Sequence, residues 1–533
     1  MILDVLLQTA NNTAGLVAAA FVVIFLPFLL KKLVRIAVER HRVIKLIDQS
    51  GILGPPAIPI LGSTYLFKLG RWEFADQLRE LVETYADKGG GIMKAWVGMH
   101  PIVAVTTAEL AEPILTNNRL LKKSSNYNIL IPWLGTGLLI SSGNKWKARR
   151  KMLTPTFHYS ILNNFVENFG EQAKTFVQQV RPFAETNEIV DIYPYAKRCT
   201  LDVICAASMG VQIDAQKNHN SEYVKAVEEM NEIVLKYERS PWLWFAPTFY
   251  LTGNGFKYNR CLKLLTGFTR NVIRERDRML RKMVEEHGED FLRKQGKKLA
   301  ILDLLLLMAE NNKLSYEDIR EEVDTFMFEG HDTTASGVTW ALYFIGKNPD
   351  VQEKIQTEFQ DVFEGSDRAA TVEDLKQLQY LERCIKEALR LYPSVPLFAR
   401  DLTEDIETGG YKIPKGATVM VTPYFVHRDP SHWGSEPERY DPDRFLPELM
   451  AKRHPYCYIP FSAGSRNCIG QRFALLEEKS VLCTFLRHYR VECNETHTTV
   501  MPVPELILRP MNGVKVRLFN RKTAAHGVCN GKI

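Results

Sequence analysis

Between Ser315 and Pro349 the chain carries one unbroken helical signal. At 1.5 Å per residue these roughly 30 residues make a helix of ~45 Å, enough to cross a whole domain. The rest of the domain must therefore be arranged around this helix. Ser315 with Asp318 resembles a capping box, and Gly346 and Pro349 supply the stop. The middle of the helix reads Glu329-Gly330-His331-Asp332-Thr333-Thr334, flanked by Phe326, Met327, Phe328 and Trp340. Gly, Asp and Thr are each poor in helix interiors, and a threonine hydroxyl competes for backbone carbonyls. A buried central helix would not carry this run for stability alone.

From about residue 50 onward there is neither an internal repeat nor a long linker, and helical patterns dominate. Short strand-like runs stand at Ile102–Thr106, Ala417–Val421 and Gly513–Leu518. The expected fold class is mainly α with small β-sheets, in one large domain. Of 533 residues, 45% are hydrophobic and 24% charged, ample for a large core. A net charge of +6 over this length excludes a dedicated nucleic-acid binder. It still suits an acidic protein partner or an anionic membrane. The nine cysteines are odd in number and contain no Cys-x-x-Cys pair, which argues against a disulfide framework and a zinc ribbon. A single cysteine with special surroundings then becomes the one to find.

Cys468 is that cysteine, in Phe461-Ser-Ala-Gly464-Ser-Arg466-Asn-Cys468-Ile-Gly470. Gly464 allows a tight turn and Gly470 a close backbone approach to a metal. Gln471–Arg487 reads as a helix, so Cys468 stands at a helix N-terminus, where the expected thiol pKa is low. Arg466 offers a cation to a carboxylate. His454, Cys457 and Cys468 lack the paired spacing of a metal module.

This pattern resembles the haem-binding loop of the cytochromes P-450. Further motifs of that family appear in order. Glu387-Ala-Leu-Arg390 is similar to its Glu-x-x-Arg motif, and Pro442-Asp-Arg444-Phe445 to the segment whose arginine joins that pair. The resemblance makes Glu387, Arg390 and Arg444 a structural network. Trp146-Lys-Ala-Arg149-Arg150 resembles the Trp-x-x-x-Arg motif, and Arg400 a further propionate partner. Glu322–Thr334 resembles the signature of family four of these enzymes, and several segments are similar to its subfamily V branch.

The resemblance implies the cytochrome P-450 fold, with haem b (iron protoporphyrin IX) ligated by Cys468. Phe461 and Gly464 shape its loop, and Trp146, Arg150, Arg400 and Arg466 hold the propionates. Asp332 and Thr333 match the acid–alcohol pair of oxygen activation. Glu329 is the candidate for a covalent ester to a haem methyl. The implied activity is a monooxygenase reaction on a lipophilic substrate, most specifically ω-hydroxylation of fatty acids. The alternatives are hydroxylation of terpenoid hormones or xenobiotics, a reductase-independent isomerase, which the Asp332-Thr333 pair disfavours, or a haem-binding carrier. No Gly-x-Gly-x-x-Gly fingerprint occurs, so electrons are expected from a separate NADPH–cytochrome P-450 reductase, with cytochrome b5 as a second donor. Arg472, Lys479 and Arg487 form a candidate docking face for it.

Residues Ala14–Leu30 carry no charge, and Lys31, Lys32, Arg35, Arg40 and Arg42 follow. An uncharged run followed by positive charge predicts a single-pass anchor with the body on the cytosolic side of the endoplasmic reticulum, in contact with membrane lipid. The expected division is an anchor at 1–33, a basic and Pro-rich linker at 34–62, a catalytic domain at 63–520 and a tail at 521–533. Asn11-Asn12-Thr13 and Asn494-Glu495-Thr496 are glycosylation sequons, the first beside the membrane and the second on the cytosolic side.

Overall fold

The computed structural model describes residues 13–218, 222–288, 299–310, 314–493 and 500–521. Asn11 and Asn12, the second sequon and the tail from Lys522 with Cys529 lie outside them.

The helices that position the site are α1 Thr13–Gln49, α2 Ala108–Thr116, α3 Gly143–Leu153, α4 Val166–Thr186, α5 Tyr193–Ile204, α6 Glu222–Glu238, α7 Asn254–His287, α8 Tyr316–Lys347, α9 Gln379–Leu391 and α10 Gln471–His488. The long central helix is α8, with 32 residues. Ser315 caps it and closes the reciprocal box with Asp318. The stop falls between Gly346 and Pro349, as expected. Gly346 stays helical because it lies flat against Val491 and Cys493, and Asn348 ends the helix.

Helix α5 packs along α8, and α10 packs against α4 and α8. At Gly330 a Cβ would stand 2.6 Å from Ile204 Cδ1, so glycine is what lets α5 and α8 approach. Trp133, Phe169, Phe176 and Trp340 are sealed in this helical core. Removing such side chains from water is the main stabilising term of the fold.

A second core surrounds a four-stranded sheet of β1 Ile92–Val97, β2 His100–Val105, β4 Phe398–Asp401 and β5 Thr418–Val421, in the order β1-β2-β5-β4. β2 and β5 are parallel, with Ile102 opposite Thr418, and the other pairs are antiparallel. A three-stranded sheet joins β3 Ile189–Asp191, β6 Tyr489–Glu492 and β7 Lys515–Asn520, with β7 in the middle. The three strand-like runs all form strands, within two residues of the expected ends.

The N-terminal region departs from expectation. Residues 34–49, the basic first part of the expected linker, continue α1, a helix of 37 residues. Its last turns bury Val43 and Ile47 in the sheet core, and Asp48 meets Lys94 at 2.6 Å. Arg40 donates to the Gly416 carbonyl at 3.0 Å. Only from Leu53 does the chain extend, where its carbonyl accepts from the Lys94 N–H at 2.8 Å. Among the described residues no helix is long and apolar enough to cross a membrane, so the expected spanning helix is not established by the structure.

Candidate active site

The loop before α10 is closed by its own backbone. The Cys468 N–H donates to the Phe461 carbonyl at 2.9 Å, and the Asn467 N–H to that of Gly464 at 3.1 Å. Gly464 has φ +70°, and a Cβ there would lie 2.0 Å from the Leu115 carbonyl oxygen at the end of α2. Glycine is compulsory at this point. Gly470 is different. Its φ is −89°, and a Cβ would sit 3.9 Å from the Cys468 sulfur, an ordinary contact, so protein packing alone does not demand glycine there.

Three arginines converge on this loop. Arg150, from α3, donates to the carbonyl and the side-chain oxygen of Asn467, both at 2.6 Å, and so steadies the residue before Cys468. Arg466 donates to the carbonyls of Leu121, Leu139 and Ser141 at 2.7–2.8 Å, with its guanidinium 5.0 Å from the Trp146 ring. Arg400, in β4, donates to Ile114 and Leu120 at 2.9 and 3.2 Å. Burial lowers both Arg400 and Arg466 to about 10, which leaves them charged at neutral pH.

The Glu387–Arg390 pair forms as expected, bidentate at 2.7 and 2.8 Å and fully buried. Arg390 also reaches the His427 carbonyl at 2.9 Å, and Arg444 Nε stands 3.6 Å from Glu387. This trio binds α9 to the loops at 427–445 and contains no group that faces the site.

A cavity opens between the Cys468 loop and α8. It is lined by Trp146, Arg150, Glu329, Thr333, Arg400, Phe461, Arg466 and Cys468, with Phe157, Phe326, Phe328 and Ile204 supplying apolar wall. The Cys468 thiol is exposed to it. Burial and then the charge of Glu329 push that thiol up to about 11. The Gly470 N–H at the helix N-terminus and the charge of Arg150 act downward, as expected, but are outweighed; a thiolate here needs a metal to hold it. Burial raises the carboxyl of Glu329 and lowers the ammonium of Lys123, driving this interacting pair toward neutrality. A flat, dianionic, iron-bearing macrocycle fits these surroundings. The cavity offers a thiol, an apolar wall and guanidinium groups whose five donors are not exhausted by the carbonyls they already bind.

Thr333 faces the cavity and donates to the Glu329 carbonyl one turn earlier at 2.6 Å. Asp332 does not line the cavity. Its carboxylate accepts from Arg509 at 2.7 Å and Asn231 at 3.1 Å and lies 3.4 Å from Lys197. Burial alone would raise it, but Arg509, then Lys197, outweigh that and hold it well below the usual carboxylate range. The expected acid–alcohol pair thus divides between two sides of α8.

Five ionisable cavity residues escaped the sequence reading: Lys123, Tyr127, Glu238, Glu478 and Glu505. Lys123 lies in an ordinary Lys-Lys-Ser-Ser run, and Glu238 is one acid among many on α6. No local signal marks either. The expected docking face is also corrected. Lys479 is buried, donates to the Leu375 carbonyl at 2.9 Å and pairs with Glu382 at 2.5 Å, so no partner can reach it. Arg487 is engaged by the carbonyls of Arg368 and Ser366, and Arg472 is exposed.

Residues 53–518 match the family model described as Cytochrome P450. The chain is 47% identical over 469 residues to Cytochrome P450 4V2 of Homo sapiens, covering 87% of this chain and 89% of that protein. It is 41% identical over 494 residues to Cytochrome P450 4c3 of Drosophila melanogaster, covering 91% of each. Identity to Cytochrome P450 4c21 of Blattella germanica is 42% over 454 residues, with 85% and 89% covered.

Proposed function

Because this chain belongs to the cytochrome P450 family, within its family-four branch and close to subfamily V, and is a haem monooxygenase, we propose that it hydroxylates fatty acids at or near the ω carbon. The observation that carries this reading is one apolar cavity holding both the Cys468 thiol and Glu329. When bound, the haem supplies the iron at which O2 is reduced and one oxygen atom enters a C–H bond.

Cys468 is the proposed iron ligand, and Trp146, Arg150, Arg400 and Arg466 the propionate partners. Phe461 flanks the thiol and Gly464 sets the loop that presents it. Thr333 presents a hydroxyl to the cavity. Asp332 connects through Lys197 to Glu228, at 3.4 and 2.7 Å, and the Glu228 side chain is 43% exposed. That chain of ionisable groups supports a route for protons from solvent to α8. Glu329 is the proposed covalent tether. A haem fixed against a narrow wall would favour attack on the terminus of an alkyl chain.

Electrons come from a separate redox partner, as is usual for the family, and we read the donors as NADPH–cytochrome P450 reductase and cytochrome b5. The uncharged run Ala14–Leu30 heads α1, whose other end is packed into the body through Val43 and Ile47. This supports a single-pass anchor in the endoplasmic reticulum membrane, with the catalytic domain at 63–520 held against the cytosolic face.

Reconstitution with reductase, NADPH and saturated fatty acids of graded length tests the reading. The expected product is the ω-hydroxy acid. Absent or positionally random oxidation across the series would overturn the fatty-acid assignment. With Cys468→Ala, the reduced protein should lose the red-shifted CO band of thiolate coordination.

A further inference from the structure

The charged groups of the cavity are unevenly placed. Lys123, Arg400, Arg466, Arg150 and Glu329 form one interacting set beside Cys468. Three more carboxyls line the cavity: Glu505 is paired with Arg71 and Arg509, Glu478 is 2% exposed and packs against Gly337 of α8, and the half-buried Glu238 stands apart from both. It lines the same cavity, at the last residue of α6, and among the described residues it has neither hydrogen bond nor ion pair. Its half-buried carboxyl is open to the cavity rather than bound by the protein, which leaves it available to a ligand.

Its neighbours leave it free. Lys236 turns to Asn254 at 3.4 Å, and Arg239 donates to the carbonyls of Leu69 and Gly70 at 2.6 and 3.3 Å. From α7, Tyr258 donates to the Ile129 carbonyl at 2.6 Å. Tyr127 is the titratable group facing Glu238. Its ring lies under Lys123, 4.6 Å from ammonium to centroid, and its phenol oxygen is bonded by the backbone of Ala399. Tyr127 therefore interacts both with Glu238 and with Arg466 and Glu329 of the set. Burial pushes Glu238 up to about 8, and its seat at the negative end of the α6 dipole acts in the same direction. At neutral pH it is a hydrogen-bond donor.

We propose that Glu238 receives the polar end of the substrate, donating a hydrogen bond to a fatty-acid carboxylate while the alkyl chain runs toward Cys468. This rests on the fatty-acid reading above and makes Glu238 a specificity-determining residue. The sign of its pH dependence follows. Below pH 8 the protonated carboxyl binds a carboxylate; above it, two anions face each other in an apolar cavity and repel.

The test is a spectral binding titration of the haem-loaded full chain with dodecanoate and with methyl dodecanoate, on either side of pH 8. In the wild type, affinity for the acid should fall about tenfold or more with rising pH, and affinity for the ester should not change. Glu238→Gln keeps a donor and should bind the acid with a flat pH profile. Glu238→Leu should lose about tenfold for the acid and nothing for the ester. An unchanged pH profile in Glu238→Gln, or equal effects of Glu238→Leu on acid and ester, overturns the assignment of Glu238 alone. If neither ligand binds the wild type, the fatty-acid reading fails and the assignment falls with it.

Discussion

Arg509 places its Nη2 2.7 Å from Asp332 Oδ2, with side-chain exposures of 5% and 0%. The pair ties the strand at Leu508–Pro510 to the middle of the central helix, across 177 residues of sequence. Arg509→Met leaves a buried carboxylate with Lys197 as its remaining cation, 3.4 Å away. The expected cost is about 3–5 kcal/mol in urea unfolding, and less when Asp332→Asn is added. Because Asp332 titrates below its ordinary range, the pair's contribution is complete above about pH 4 and is lost only as pH falls further. A change in stability no larger than that of a surface substitution would show that the pair does not hold the helix.

The Cys468 loop depends on Gly464. Gly464→Ala combines a positive φ with a Cβ 2.0 Å from a backbone oxygen of α2. Neither atom belongs to a flexible side chain, so the loop has to move. The expected outcome is a cost of about 1–3 kcal/mol and a weakened thiolate-type CO band, read together by thermal unfolding and CO difference spectra. A variant with full haem content and unchanged spectrum would contradict this.

Two adjacent carboxyls of α10, Glu477 and Glu478, are buried at 0% and 2% exposure, Glu478 against Gly337 of α8 in the wall of the Cys468 cavity. Burial pushes Glu478 up to about 8, and burial, then Glu478's charge, raises Glu477 well above the usual carboxylate range. The native state therefore binds protons that the unfolded state has released. Stability should fall as pH rises from about 4.5 through 8, by up to about 1.4 kcal/mol per pH unit from Glu478. Glu478→Gln should flatten that slope, measured by urea unfolding across the range. A parallel slope in the variant would place the titration elsewhere.

Acid–acetone extraction checks the tether at Glu329. The wild type should retain haem on the protein after extraction, and Glu329→Gln should release all of it, since an amide cannot form the ester. Complete release from the wild type would remove the tether and leave Cys468 ligation untouched.

Much of the site is legible from short-range pattern. The Ser315–Asp318 box, the glycine of the Cys468 loop and the Glu387–Arg390 spacing each depend on residues a turn apart, and each forms as read. What the pattern misreads is direction and depth. Lys479 reads as a surface cation and is buried, because α10 faces Leu375 and Glu382 there. The 34–49 segment reads as linker but is helix, because Val43 and Ile47 find a core to fill.

The sequence by itself determined the central helix, the thiol-bearing loop and the family, since these rest on local hydrogen bonding, backbone freedom and spacing. Only the tertiary structure decided that Asp332 faces Arg509 rather than the cavity, that Lys123 joins Glu329, and that Glu238 stands unpartnered in the same cavity. The physical reason is that side-chain environment is set by segments far apart in the chain. A residue's charge state and neighbours exist only after those segments have packed.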